Sequence, residues 1–256
     1  MIDFPPHIHV YETKKLAWEA AGRDVEKCII QLQERQEEIR MIFAAAPSQT
    51  GMLEYLANSI SIRWEKVIAF HMDEYIGLEE NAAQLFSKYL EEKLFSKVPL
   101  KAIHYIQPKG DLSSEIDRYT ALLESEPIDI VCLGIGENGH IAFNDPPVAD
   151  FQDPLTVKVV SLDEACRIQQ VNDGCFESID QVPMEALTLT IPALMSGKNL
   201  FCVVLGEKKS EAVKNTLTGP IETACPASIL TTHPHCEFYF DLAAISKLAD
   251  SNLSDR

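Results

Sequence analysis

Between Ile128 and Pro147 the chain reads IDIVCLGIGENGHIAFNDPP: an apolar run passes into three glycines, then His140, then Asn144 and Asp145. An imidazole can carry a proton near neutral pH, and a carboxylate a few residues on can orient the ring and fix its tautomer. The run Ile130-Val131-Cys132-Leu133 lacks polar alternation, as expected of a parallel strand buried on both faces, so His140 should lie beyond that strand's carboxyl end. In open α/β sheets that edge is where ligands bind. A histidine merely bonded to a loop carbonyl would have the same spacing.

Gly134, Gly136 and Gly139 spell the dinucleotide fingerprint G-x-G-x-x-G, which needs a helix opening from its last glycine. Pro146 and Pro147 leave room for only a very short helix. The glycines read better as room for backbone to approach a small ligand, with Gly136 and Gly139 as candidate contacts.

Other strand ends compete for the same edge. In Pro47-Ser48-Gln49-Thr50-Gly51 a strand hands over to a helix, so Ser48, Gln49, Thr50 and the free amides there could cradle a phosphate. Without G-K-[ST], nucleoside triphosphate binding is not expected, and the same residues would serve as an ordinary turn and cap. In Met72-Asp73-Glu74-Tyr75 two adjacent carboxylates end an apolar strand. Asp73 is a candidate base if burial raises its pKa, and an ordinary surface acid if not. Lys209, following Leu205-Gly206, could meet an anion at this edge, whereas Lys208 reads as the solvent-facing lysine. Arg167 is either another phosphate ligand or half of a surface salt bridge. His7 and His9, like His233 and His235 beside Cys236, have ligand-like spacing but no convincing third and fourth ligand, so no metal site is expected. Trp18 and Trp64 read as packing residues.

The elements that must position these groups follow from periodicity. Thr13 can cap a helix carrying Leu16, Ala20, Val25, Ile29 and Leu32 at helical spacing and ending near Gln36. Apolar strands are expected over Ile39–Ala46, Lys66–Asp73, Ile103–Ile106 and up to Leu133. They alternate with helices from Met52, over Asn81–Phe95 and from about Ser113. Later strands are expected at Thr156–Val160, Ala186–Ile191, Leu200–Leu205 and Glu237–Phe240, with a helix after Lys209. This alternation predicts an α/β fold with a mostly parallel sheet covered by helices. The polar tail from Ala249 is expected to fray.

With 256 residues, 46% of them hydrophobic, the chain can bury one large core, and a single domain over residues 1–256 is the simplest expectation. A net charge of −17 and a pI near 4.8 argue against nucleic acid or anionic membrane as partners. A small anionic substrate would need a local cationic pocket. Seven cysteines without a C-x-x-C pair read as reduced, buried thiols, and no segment resembles an export signal or a membrane span. A soluble cytoplasmic protein is expected.

Taken together, Met72-Asp73-Glu74-Tyr75-Ile76-Gly77 and the run from Gly134 to Pro146 resemble the glucosamine-6-phosphate deaminase/isomerase family. The likeness extends through Gln181-Val182-Pro183, Ala186-Leu187-Thr188, Leu205-Gly206 and Lys209. The related 6-phosphogluconolactonases share a glycine-histidine loop, but MDEYIG and GHIAFN look like the amino-sugar branch. The resemblance implies a modified doubly wound sheet with helices on both faces, and no metal or organic cofactor. It implies an enzyme that opens the ring of a hexosamine 6-phosphate, moves a proton between C1 and C2, and releases ammonia to leave a ketose phosphate. Asp73 would be the base for proton transfer and His140 the acid/base for ring opening, supported by Asp145. Ser48, the following amides and Lys209 would hold the phosphate. Self-association is implied as well.

Several residues depart from the family's pattern. Asn138 stands where an acid usually precedes the Gly-His pair; an amide could accept a hydrogen bond from the imidazole but could not stabilise an imidazolium by charge. Asp145 stands for a longer glutamate, and Gln49 and Thr50 for paired glycines. The usual phosphate-binding arginine has no clear counterpart, with Arg167 as substitute. The departures cluster in the site, which predicts a retained sugar-phosphate pocket with altered substrate, such as galactosamine 6-phosphate, or weakened chemistry. A lactonase of the 6-phosphogluconate type and a non-catalytic sugar-phosphate sensor are the alternatives.

Overall fold

The structure, a computed structural model, describes Pro5 and residues 7–248. Its strands are β1 (Ile8–Tyr11), β2 (Ile39–Phe43), β3 (Val67–His71), β4 (Asp73–Tyr75), β5 (Ala102–His104), β6 (Ile130–Leu133), β7 (Val157–Ser161), β8 (Glu185–Leu189), β9 (Asn199–Val204) and β10 (Cys236–Asp241). Its α-helices are α1 (Lys14–Gln33), α2 (Thr50–Ala57), α3 (Phe86–Leu90), α4 (Leu112–Glu124), α5 (Glu164–Asn172), α6 (Ile191–Met195) and α7 (Ser210–Thr218).

Among the described residues, seven strands form a wholly parallel sheet in the order β1-β10-β9-β6-β2-β3-β5. Its central strands are continuous apolar runs because both faces are covered. Along β2, Ile42 faces an apolar cluster that includes Tyr119 and Leu123 of α4 and Val213 and Leu217 of α7. Its neighbours Met41 and Phe43 point the other way, into Ala17, Val25 and Ile29 of α1 and Leu53 of α2. This is the expected α/β sheet with helices on both faces.

The order places the site. From β2 the chain moves outward through β3 to β5, whereas β6, β9 and β10 extend the sheet the other way. Neighbouring strands β2 and β6 therefore flank a switch point, where their departing loops leave a crevice at the carboxyl ends.

Three expected features differ. The strand expected over Lys66–Asp73 breaks after His71, and β4 leaves to form a separate antiparallel sheet, β4-β8-β7. The later strand candidates at Thr156 and Ala186 thus belong to this small sheet rather than the large one. The helix expected from Asn81 begins only at Phe86, because the Glu74 carboxylate accepts the backbone N–H groups of Phe86 (3.0 Å) and Ser87 (2.9 Å) there; it runs on through Glu91–Phe95 as a π-helical turn. Helix α1 does start after Thr13, whose hydroxyl accepts the Leu16 N–H, but Leu16 itself is exposed and the buried face runs through Ala17, Ala21, Val25 and Ile29.

Among the described residues no helix is long and apolar enough to cross a membrane. All seven cysteines are free thiols. The tail expected to fray lies, from Ala249 on, outside the described residues.

Candidate active site

A cavity of about 420 Å³ opens at the carboxyl ends of β2, β3, β6 and β9, and Ser48, Thr50, Asp73, Gly136, His140 and Lys209 all line it. Residues from four strand ends, far apart in the chain, thus meet in one space.

The loop after β6 is built around the His140 ring. The Gly136 N–H donates to the His140 carbonyl at 2.9 Å, folding the loop back on itself. A Cβ on Gly136 would stand 2.2 Å from Cε1 and Nε2 of that ring, so glycine is obligatory under the imidazole. Gly139 has φ +84° and its missing Cβ makes room for Cys225. No helix follows these glycines until α5, so the dinucleotide reading fails. Gly139 serves the turn and is not part of the cavity lining, against its expected role as a ligand contact.

Asp145 is fully buried, with Oδ1 2.8 Å from His140 Nδ1, although the carboxylate lies off the line of the ring N–H. The Asn138 amide donates to the same Oδ1 at 2.9 Å. Burial pushes the Asp145 carboxyl up, but His140 and Asn138, with the Asp163 N–H, outweigh it and hold the group below the usual carboxylate range. Asn138 does not receive the imidazole proton, as the sequence suggested it could; its Oδ1 accepts the His140 backbone N–H at 3.1 Å. It positions the dyad from behind and does not line the cavity. Just beyond His140, Ala142 takes φ +49°, costly for a residue with a Cβ. The next residue, Phe143, anchors that turn by donating its N–H to Thr188 Oγ1.

Asp73 reaches the cavity from the small sheet, where it pairs with Thr188. Burial, then the neighbouring Glu74, pushes its carboxyl well above the usual range. Glu74 points away and caps α3. The two adjacent acids therefore divide, one toward the cavity and one toward structure.

Ser48 and Thr50, also in the cavity lining, form the turn between β2 and α2. The Thr50 hydroxyl is bonded to Tyr89 OH at 2.8 Å, and the Ser48 carbonyl accepts the Trp18 indole N–H at 2.6 Å. Gln49 departs from its expected role as a phosphate ligand. It is fully buried and its amide donates to the Leu133 carbonyl (3.0 Å) and Ser48 Oγ (3.1 Å), tying the turn to the end of β6. Arg167 departs likewise: its guanidinium donates to the carbonyls of Ile179 (2.6 Å) and Val182 (3.0 Å), bracing a distant loop. Lys209 lies in the wall; burial lowers its pKa, while Asp173 and then Glu137 pull it back up.

The sequence and the fold match known proteins. The family model for glucosamine-6-phosphate isomerases/6-phosphogluconolactonase matches residues 12–238. The chain belongs to that family of enzymes. A glucosamine-6-phosphate deaminase of Bacillus thuringiensis (strain Al Hakam) is 33% identical over 228 residues, covering 88% of this chain and 84% of its own. A solved monomeric glucosamine-6-phosphate deaminase superposes with a TM-score of 0.84 at 28% identity, over 93% of this chain and 98% of that one. The 6-phosphogluconolactonase of Thermotoga maritima shares the fold, with a TM-score of 0.73 at 19% identity over 91% and 98% of the two chains.

Within this family's fold the cavity also collects residues not foreseen in a site: Lys14 from α1, Gln169, Gln170 and Asp173 from α5 and its end, and Trp18, expected only to pack. Trp18 does pack, its ring lying where a Gly51 Cβ would be, 2.4 Å away, and its N–H holds the Ser48 turn. Gln169 accepts the Glu137 N–H at 2.7 Å and so steadies the His140 loop. A Gln-Gln pair on the buried side of a helix was the available signal. Of the paired histidines, His9 meets Glu237 at 2.7 Å and stacks on Tyr239, and His233 bonds the Gly197 carbonyl. The buried group of His140, Asp145 and Cys166 offers three ligand-type atoms within 4.8 Å of one another. Burial, with Asp145 alongside, pushes the Cys166 thiol up, which keeps the proton on sulfur and favours a neutral contact with the carboxylate.

Proposed function

We propose that this single-domain protein converts a hexosamine 6-phosphate, glucosamine or galactosamine 6-phosphate, to a ketohexose 6-phosphate with release of ammonia. The observation that carries this reading is the meeting, in one cavity, of a buried carboxylate of raised pKa, Asp73, with an imidazole backed by a second carboxylate, His140 and Asp145.

In this reading His140 takes the proton from the anomeric hydroxyl and returns one to the ring oxygen, opening the pyranose, while Asp145 stabilises the ring when it is charged. Asp73 as carboxylate then removes the C2 proton of the open-chain amino sugar and delivers it to C1. The C2–H electron pair forms the C1=C2 bond of an enolamine as the C1 carbonyl oxygen takes up a proton from water. When Asp73 protonates C1 that pair becomes the new C1–H bond and the nitrogen lone pair closes a C2=N iminium, which water attacks, expelling ammonia and leaving the C2 ketone. A carboxyl whose proton affinity is raised by burial suits both halves of that transfer. Lys209 and Ser48 hold the phosphate at the opposite end.

The His140–Asp145 pair alone would also suit activating water against a sugar lactone, the reaction named for the lactonases of the fold. Asp73, desolvated at a cost to the fold, has no part in that hydrolysis, which favours the isomerase. The test is ammonia release from each hexosamine 6-phosphate beside hydrolysis of 6-phosphogluconolactone. Turnover of the lactone without ammonia from either amino sugar would overturn the proposal.

A further inference from the structure

The phosphate end of the cavity holds a cation outside the expected set. Lys14 lines it from the first turn of α1, and its Nζ lies 3.5 Å from where a Gly206 Cβ would be, above the turn Glu207–Lys209 that carries Lys209. Gly206 has φ +92°, so the turn beneath this ammonium depends on glycine. We propose that Lys14 is a phosphate ligand, the second ammonium beside Lys209; this rests on the sugar-phosphate reading of the cavity.

Three observations support it. A phosphate monoester carries close to two negative charges at neutral pH, and it must enter a chain of net charge −17. Asp173 and Asp73 add two acids to the lining beside Lys209. Lys14 adds a second ammonium that, like Lys209, has no side-chain hydrogen bond or ion pair among the described residues. Its neighbour Lys15 pairs with Glu19 at 3.7 Å. Second, Lys14 sits at the positive end of a 20-residue helix with no acid in its first turn, where a cation weakens the helix. Helix stability does not account for it. Third, α1 is fixed to the phosphate turn by the Trp18 bond to the Ser48 carbonyl, one helical turn further on, so Lys14 is delivered in register with Ser48.

The test is binding of inorganic phosphate by calorimetry at constant ionic strength to the full chain and to the Lys14→Met, Lys14→Arg and Lys15→Met variants. It is paired with KM and kcat for the hexosamine 6-phosphate. Lys14→Met should weaken phosphate binding by about tenfold and raise KM similarly with kcat within about twofold, the size of one lost charge-assisted hydrogen bond. Lys14→Arg should recover part of the loss, and Lys15→Met should bind as the parent does. Equal affinity in Lys14→Met, or equal losses in Lys14→Met and Lys15→Met, would overturn the assignment while leaving the sugar-phosphate reading intact. Absence of phosphate binding in the parent protein would overturn both.

Discussion

Replacing Gly136 by alanine tests whether the His140 ring must stand where it does. The new Cβ would lie 2.2 Å from ring atoms Cε1 and Nε2, and ordinary contact begins at 3.4 Å, so the ring must retreat by about 1.2 Å. Gly136 is not among the glycines of positive φ, so alanine fits its backbone and the strain falls on the imidazole. A retreat of that size breaks the 2.8 Å approach of Nδ1 to Asp145 and moves Nε2 off the sugar oxygens. Displacing a proton-transfer group by about 1 Å reduces turnover on the order of a hundredfold, about 2.7 kcal/mol at the transition state. Steady-state ammonia release should show that loss in kcat. KM and the affinity for inorganic phosphate should stay near parental values, because Ser48 and Lys209 are untouched. A Gly136→Ala enzyme with kcat within about threefold of the parent would refute the assignment of ring opening to His140.

Asp73→Asn should stabilise the fold as it removes activity. The folded-state pKa of Asp73 is raised, so with the native carboxyl stability falls as pH climbs above the unfolded value. The gain from asparagine should therefore be absent at low pH and grow, by up to about 1.4 kcal/mol per pH unit, until the folded-state pKa is passed. Urea unfolding across pH checks this, and a pH-independent difference would contradict the burial argument. Asp145→Asn has the opposite sign: Asp145 is held below the usual range, so its contribution is present above the unfolded pKa and disappears as pH falls through the folded one. Urea midpoints of parent and Asp145→Asn should converge in acid; a gap that persists there would count against the His140 pairing. Lys209→Ala should raise KM by tenfold or so with little change in kcat, whereas Arg167→Ala should leave KM alone and lower stability by about 1–3 kcal/mol through the orphaned carbonyls of Ile179 and Val182. A KM effect at Arg167 would restore it as a phosphate ligand.

The parallel sheet was legible because its central strands must be apolar on both faces, so Ile39-Arg40-Met41-Ile42-Phe43 and Ile130-Val131-Cys132-Leu133 stand out without any partner in view. Strand β4 was not, because Asp73-Glu74-Tyr75 becomes a strand only by pairing with Thr188-Leu187-Ala186, more than a hundred residues away. Strand β1 was hidden by its half-buried edge position, where histidines interrupt the apolar pattern. In the site, His140, Asp73, Ser48 and Lys209 were foreseen because each ends a strand at the sheet edge that binds ligands. Gln49 and Arg167, expected as phosphate ligands, are turned away from the cavity for one physical reason. A polar side chain beside a site can turn inward to satisfy backbone carbonyls, and sequence position does not tell which way it turns. Lys14 was passed over because an exposed lysine at a helix start looks like solvent dressing until the fold brings Gly206 beneath it.

The central claim is that Asp73 moves the proton between C1 and C2 of a hexosamine 6-phosphate. The most direct test is ammonia release by the purified protein from glucosamine 6-phosphate and galactosamine 6-phosphate, with Asp73→Asn as the control. The account predicts turnover of at least one epimer and its loss in the variant with phosphate affinity retained. Turnover undiminished in Asp73→Asn, or no ammonia from either sugar, would contradict it.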